Sequence, residues 1–155
     1  MAGVEKRIII LDSNCYFRLA NTFHPLLATE FGEPLISLRI TKYLEQEYLR
    51  SSRLKSKFYW VSQEKYIEDR SNCLHFRGKR RKNAEMVFDY MSKHADYNGI
   101  DVSRIDIWML AYGNVLFASV VTDDVNMRKL AEGFSIDTLS TLELLHLMNV
   151  SRVRA

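Results

Sequence analysis

The sequence predicts an α/β fold of three layers, α/β/α, around a central, mainly parallel sheet of about four to five strands. Three observations predict it. Short, wholly apolar runs rich in β-branched residues recur, as in "RIIIL" at 7–11 and "NVLFASVVT" at 114–122. Stretches with apolar residues three and four apart separate them, and each run ends in Asp. A strand apolar on both sides needs cover on both faces, and parallel neighbours need helical crossovers. With 155 residues, 47% of them hydrophobic, the chain can bury one core of its own, so a single domain over 1–155 is expected.

Each element follows from its local pattern. "RIIIL" is too short for a typical helix and reads as a buried strand ending at Asp12. "SNCYFRLANTFHPLLATEFG" has helical spacing up to Gly32, with Pro25 as an interruption. "PLISLRI" reads as a second strand, followed by a helix from about Thr41 to Ser51. Residues 52–98 read as a mainly helical, basic insertion: "FYWVSQEKYIEDR" and "NAEMVFDYMSKHA" are helical in pattern, and the run "RGKRRK" lies between them. "SRIDIWMLAYG" predicts a helix stopped by Gly113, and "NVLFASVVT" a strand ending at Thr122, Asp123 and Asp124. The helix "VNMRKLAEG", a short strand near "FSI" and the packing helix "STLELLHLM" complete the order.

Charge is unevenly placed. Residues 50–82 carry eleven Lys/Arg against three Asp/Glu, a net +8 within a chain of only +3 overall. Such a block marks either a polyanion-binding surface or a solvated helix face. Its candidate nucleic-acid contacts are Arg53, Lys55, Lys57, Arg77, Lys79, Arg80, Arg81 and Lys82, with Phe58, Tyr59 and Trp60 as stacking rings. Trp60, Trp108 and the tyrosines nonetheless read first as core, with stacking by Phe58, Tyr59 and Trp60 as the alternative. Cys15 and Cys73 form no CxxC pair, and the four histidines lack metal-ligand spacing, which argues against zinc and for a reducing cytosol. No run is long enough to cross a membrane, and the opening residues lack the long apolar region of a secretory signal. A soluble, cytoplasmic protein is therefore expected.

In parallel sheets functional residues gather beyond the carboxyl ends of the strands, which is where Asp12 and the Asp123–Asp124 pair fall. Here the segments "IIILDSNCYF", "DIWMLA" and "VVTDDVNM" resemble, in order and spacing, the hallmark segments of PIN-domain nucleases. Asp12, Ser13 and Asn14 match the end of the first strand; Asp106 and Ala111 match the later helix; Thr122, Asp124 and Met127 match the last strand and helix. The resemblance implies a further Glu on the helix after the second strand. Glu47 fits, with Leu44 three before it and Tyr48 after it; Glu45 is the reserve, with Lys42 and Gln46 in those places. Asp12, Glu47, Asp106 and Asp124 are thus the expected catalytic and metal-holding acids. Asn14 and Thr122 support them, and Asp123 is a cap or outer neighbour.

The chemistry has its own logic. Clustered carboxylates stay ionised together only when a cation compensates them, and hard oxygen donors favour Mg²⁺ or Mn²⁺. Phosphodiester hydrolysis follows as the expected reaction. Each acid also has a bland reading: Asp106, three residues after Ser103, as the far end of a capping box, Thr122 or Asp123 as an N-cap, Glu47 as a surface acid. The resemblance implies a ribonuclease acting on single-stranded or structured RNA, similar to the toxin of a toxin–antitoxin pair, with a homodimer and an antitoxin as partners. The alternatives are a PIN-like module that binds nucleic acid or protein without cutting, and a haloacid-dehalogenase-like phosphatase. The phosphatase needs an acid two residues after Asp12, where Asn14 stands. No GxxxxGK[ST] phosphate loop is present.

Overall fold

The structure is a computed structural model that describes residues 7–31 and 35–153. Its sheet has five strands in the order β2 (Glu30–Phe31), β3 (Ile36–Arg39), β1 (Arg7–Leu11), β4 (Ser119–Val121) and β5 (Thr138–Leu139). All pairs are parallel except β2 with β3. The helices are α1 (Ser13–Leu19), α2 (Tyr43–Arg50), α3 (Ser52–Lys57), α4 (Glu64–Asp69), α5 (Gly78–Asn98), α6 (Arg104–Leu116), α7 (Val125–Gly133) and α8 (Thr141–Val153). The three-layer α/β/α architecture is as the apolar runs predict.

The layers follow from period-two alternation along the buried strands. Ile9, Leu11 and Val121 pack with Tyr16 of α1, Leu44 of α2 and Leu144 and Met148 of α8. Ile10 and Val120, the alternate residues, pack on the other face with Met91 of α5, Leu110 of α6 and Met127 of α7. None of the described helices is long and apolar enough to cross a membrane.

Several boundaries differ from the sequence-based expectation. The first long helical pattern yields only α1; the chain then runs irregularly to β2, a strand that no local pattern predicts and that pairs with β3. That irregular segment is pinned by Asp69, whose carboxylate accepts from the N–H groups of Leu26, Leu27 and Ala28 at 2.9–3.0 Å. The Gly32 stop and Pro34, the start of the predicted second strand, lie outside the described residues. "FYWVSQEKYIEDR" divides into a 3-10 turn, Tyr59–Ser62, and α4. The "RGKRRK" run does not separate two helices but opens α5, whose end is set by Gly99 in the left-handed region at φ 64°.

Gly113 does not stop α6. The helix continues to Leu116 and ends at Phe117, itself left-handed at φ 53°, so the first half of "NVLFASVVT" is helical. Gly113 serves close approach instead: a Cβ there would stand 2.7 Å from Cγ2 of Val120 on β4. The last short strand falls at Thr138–Leu139, beyond "FSI".

Candidate functional site

The carboxyl rim of the sheet gathers the acids, and helix starts orient them. Asp12 continues the β1–β4 ladder by donating its N–H to the Val121 carbonyl at 3.1 Å. Its Oδ1 then accepts from the Cys15 N–H at 2.8 Å, capping α1. Asp124 does the same for α7, Oδ1 accepting from the Met127 N–H at 2.9 Å. Thr122, fully buried, links the two: its Oγ1 accepts from the Asp124 N–H at 3.1 Å while its hydroxyl bonds the Asp12 carboxylate.

Asp106 sits in the first turn of α6, where Ser103 caps the helix by accepting the Asp106 N–H at 3.2 Å. Glu47, on α2, accepts from the Ser13 hydroxyl at 2.8 Å, which ties it to the residue beside Asp12. Glu45 is committed elsewhere: its Oε1 takes Nε of the buried Arg70, whose Nη1 donates to the Tyr16 hydroxyl at 2.8 Å. Placement therefore favours Glu47 over Glu45.

The electrostatics show which acids share a neighbourhood. Burial, offset in part by the Ser103 hydroxyl, pushes the Asp106 carboxyl up to about 6, and the charges of Asp12, Glu47 and Asp124 add to that rise. Asp12 is only 7% exposed, and burial raises it too, against the pull of the Cys15 N–H and Thr122. Asp106 thus feels three acids from three other segments, while the acid whose charge raises Asp12 is Asp123. Three helix starts face them, and an anion at a helix N-terminus is favoured by typically 0.3–1 kcal/mol.

Asp123 makes its bonds elsewhere, although its charge raises the Asp12 carboxyl. It accepts from the Thr141 N–H at 3.0 Å and from the Thr141 hydroxyl, and pairs with Arg18 at 3.3 Å. The Thr141 hydroxyl holds its carboxyl below the usual range. The expected division of the Asp123–Asp124 pair is corrected in one part: Asp124, not Asp123, caps α7, while Asp123 fastens the start of α8 and is a charged neighbour of Asp12. Asn14 is exposed on the first turn of α1, and no hydrogen bond joins it to the four acids.

Sequence reasoning missed Thr41. It is 1% exposed, and its Oγ1 is the one buried side-chain polar atom without a hydrogen-bond partner among the described residues. It follows the carboxyl end of β3, where its backbone bridges to Leu74. A Thr between a strand and a helix carries no signal that could have found it.

Among the described residues, no three His, Cys, Asp or Glu side chains stand in metal-ligating geometry. In donor chemistry the site fits a hard divalent ion: four carboxylates, no imidazole or thiol, and a buried unpaired hydroxyl at the same rim.

The basic side chains are exposed along α3 and the opening of α5. Phe58 and Trp60 are not available as stacking rings. Phe58 stacks on Phe17 at 4.7 Å, and Trp60 packs edge-on against Phe58 and Tyr66. Only Tyr59 of that trio is exposed.

In sequence the chain matches no family model and no curated protein. In structure it is similar to VapBC-1 from nontypeable Haemophilus influenzae, with 13% identity and a TM-score of 0.60 over 87% of this chain and 98% of that one. A DNA-bound VapBC from Salmonella typhimurium gives 14% identity and 0.58 over 87% and 98%. VapBC-5 from Mycobacterium tuberculosis, a member of the VapBC family of toxin-antitoxin systems, gives 14% and 0.55 over 86% and 98%. At such identities the likeness is one of fold: the chain has the fold of chains in VapBC complexes, as its resemblance to PIN-domain proteins implied.

Proposed function

We propose that this protein is a Mg²⁺- or Mn²⁺-dependent endoribonuclease, the toxin of a toxin–antitoxin pair, acting in the cytoplasm. One observation supports the nuclease reading: Asp12, Asp106 and Asp124 all stand at helix starts on the carboxyl rim of the sheet, and Glu47 accepts from Ser13 beside Asp12. Asp12, Asp106 and Asp124 would hold the ion, with Glu47 completing the set. Bound there, the ion supplies activation of a water and compensation of the charge that develops on the phosphoryl oxygens. The chain's own groups set the geometry. The caps at α1 and α7 fix Asp12 and Asp124, Thr122 couples them, and Ser13 orients Glu47. No Ser, Cys or His nucleophile is needed; Cys15 is buried, with its thiol pushed up to about 12. The basic side chains of α3 and α5 would hold the RNA backbone. The toxin role, an antitoxin partner and a homodimer draw on fold similarity to VapBC complexes.

The test is cleavage of single-stranded RNA by the metal-free protein, then with Mn²⁺ restored. Cleavage should need the ion and fall by at least about 100-fold in Asp12→Asn and Asp124→Asn. Variants that cut as fast as the parent would refute the site. The absence of ligating geometry favours one other reading, a module that binds RNA without cutting. RNA affinity that survives Asp12→Asn, with no cleavage by the parent, would establish it.

A further inference from the structure

A second cluster lies beside the acids. Phe88, Trp108 and Tyr43 form a column of parallel rings, with centroids 4.1 Å and then 5.2 Å apart. The column does not end in the core. Tyr43 is partly exposed and carries the Lys42 ammonium over its ring at 5.3 Å. Tyr43 is also one helical turn before Glu47, so the two share a face of α2. A cleft of about 70 Å³ opens against this column, lined by Tyr43, Trp108, Phe76 and Tyr112 with Lys42, Arg81 and Glu85 in its walls, Arg81 donating Nε to Glu85 at 3.1 Å, a pair that a phosphate would have to open. Exposed His75 lies in the same field: Lys42 first, then slight burial, Arg77 and Arg81 hold its pKa below the usual value. Lys42 and Arg81 therefore flank the place where the ring column reaches the surface.

We propose that this cleft is a nucleotide subsite: Tyr43 stacks the unpaired base next to the cut in a single strand, and Lys42 and Arg81 hold its phosphate. The cleft is too shallow to swallow a base, so the base rests on Tyr43 and displaces Lys42 toward the phosphate. Stacking on an aromatic platform with cations alongside is how single strands are held without sequence readout. A duplex keeps its bases stacked inside and cannot use the platform. The proposal rests on the nuclease reading for its substrate class, but its test does not require cleavage.

Binding is measured by fluorescence anisotropy in EDTA, with a labelled single-stranded RNA decamer and an abasic ribose-phosphate decamer of equal charge. Tyr43→Leu should weaken the decamer with bases about tenfold or more and leave the abasic one unchanged. Tyr43→Phe should bind as the parent does. Lys42→Ala and Arg81→Gln should weaken both decamers and lower the salt slope by about 0.7 each. Trp108 emission, read in a Trp60→Phe background, gives a second measurement that leaves Tyr43 intact. Quenching by the decamer with bases, and none by the abasic one, supports the subsite. Equal quenching by both, or a folded Tyr43→Leu protein that binds as the parent does, overturns it. A protein that never cleaves but shows the base-dependent pattern keeps the subsite and loses the nuclease reading; one that cleaves without the pattern does the reverse.

Discussion

Asp106 makes the site's cost visible at the scale of one residue. Its folded-state value of about 6 lies above the ordinary 3.8, so folding takes up a proton between those values. The metal-free protein should therefore lose stability as pH rises from about 4 to about 6, with the penalty fully present above that. Asp106→Asn keeps an acceptor for Ser103 and removes the charge. It should stabilise the metal-free protein at pH 7.5 by on the order of 2 kcal/mol, and the gain should vanish near pH 4 in denaturant melts. The two candidate glutamates should separate cleanly. Glu45→Gln leaves the buried Arg70 without its charge partner and should cost about 2–4 kcal/mol of stability. Glu47→Gln should leave the melting temperature nearly unchanged while RNA cleavage drops. Glu47 was legible in the sequence because an acid flanked by Leu44 and Tyr48 sits on the apolar side of an amphipathic helix. That Asp124, rather than Asp123, caps α7 was not, because two adjacent aspartates before a helix read alike as caps and only the backbone shows which one accepts from Met127.

Elements place these residues by where helices begin. α1, α6 and α7 all start at the carboxyl rim, so their N-termini stabilise the acids that their own repulsion would drive off. The close seating of α6 on β4 depends on Gly113. Gly113→Ala should destabilise by about 1–3 kcal/mol, although Ala is the better helix former, because its Cβ would collide with Val120. Pairing it with Val120→Ala should recover part of the loss, which thermal or denaturant melts would read. Local pattern misplaced this helix end because a glycine reads as a stop whether it terminates a helix or lets it approach a strand. Likewise β2 hid within a helical pattern, since a two-residue strand has no period and only its pairing with β3 defines it. The central strands β1 and β4 were legible because burial on both faces leaves them apolar after their first residue.

Over the whole molecule, charge is sorted into an acidic rim and a basic helical segment, α3 to the start of α5, that follows α2 in the chain. The sorting was plain in the sequence; the direction of the basic side chains was not, because it depends on which α5 residues the core takes. Ala84 and Phe88 go inward, leaving Arg77, Lys79, Arg80, Arg81 and Lys82 exposed. Neutralising all five should flatten the salt dependence of RNA binding by about 0.7 in log–log slope for each phosphate that is no longer neutralised. The slope is read from titrations between low and moderate salt. The central claim is that four separate acids form one divalent-cation site, and calorimetric titration of the metal-free protein with Mn²⁺ tests it most directly. A saturable isotherm in the parent, weakened about tenfold or more in Asp12→Asn, Asp106→Asn and Asp124→Asn, is expected. Superimposable isotherms in all four proteins would contradict it.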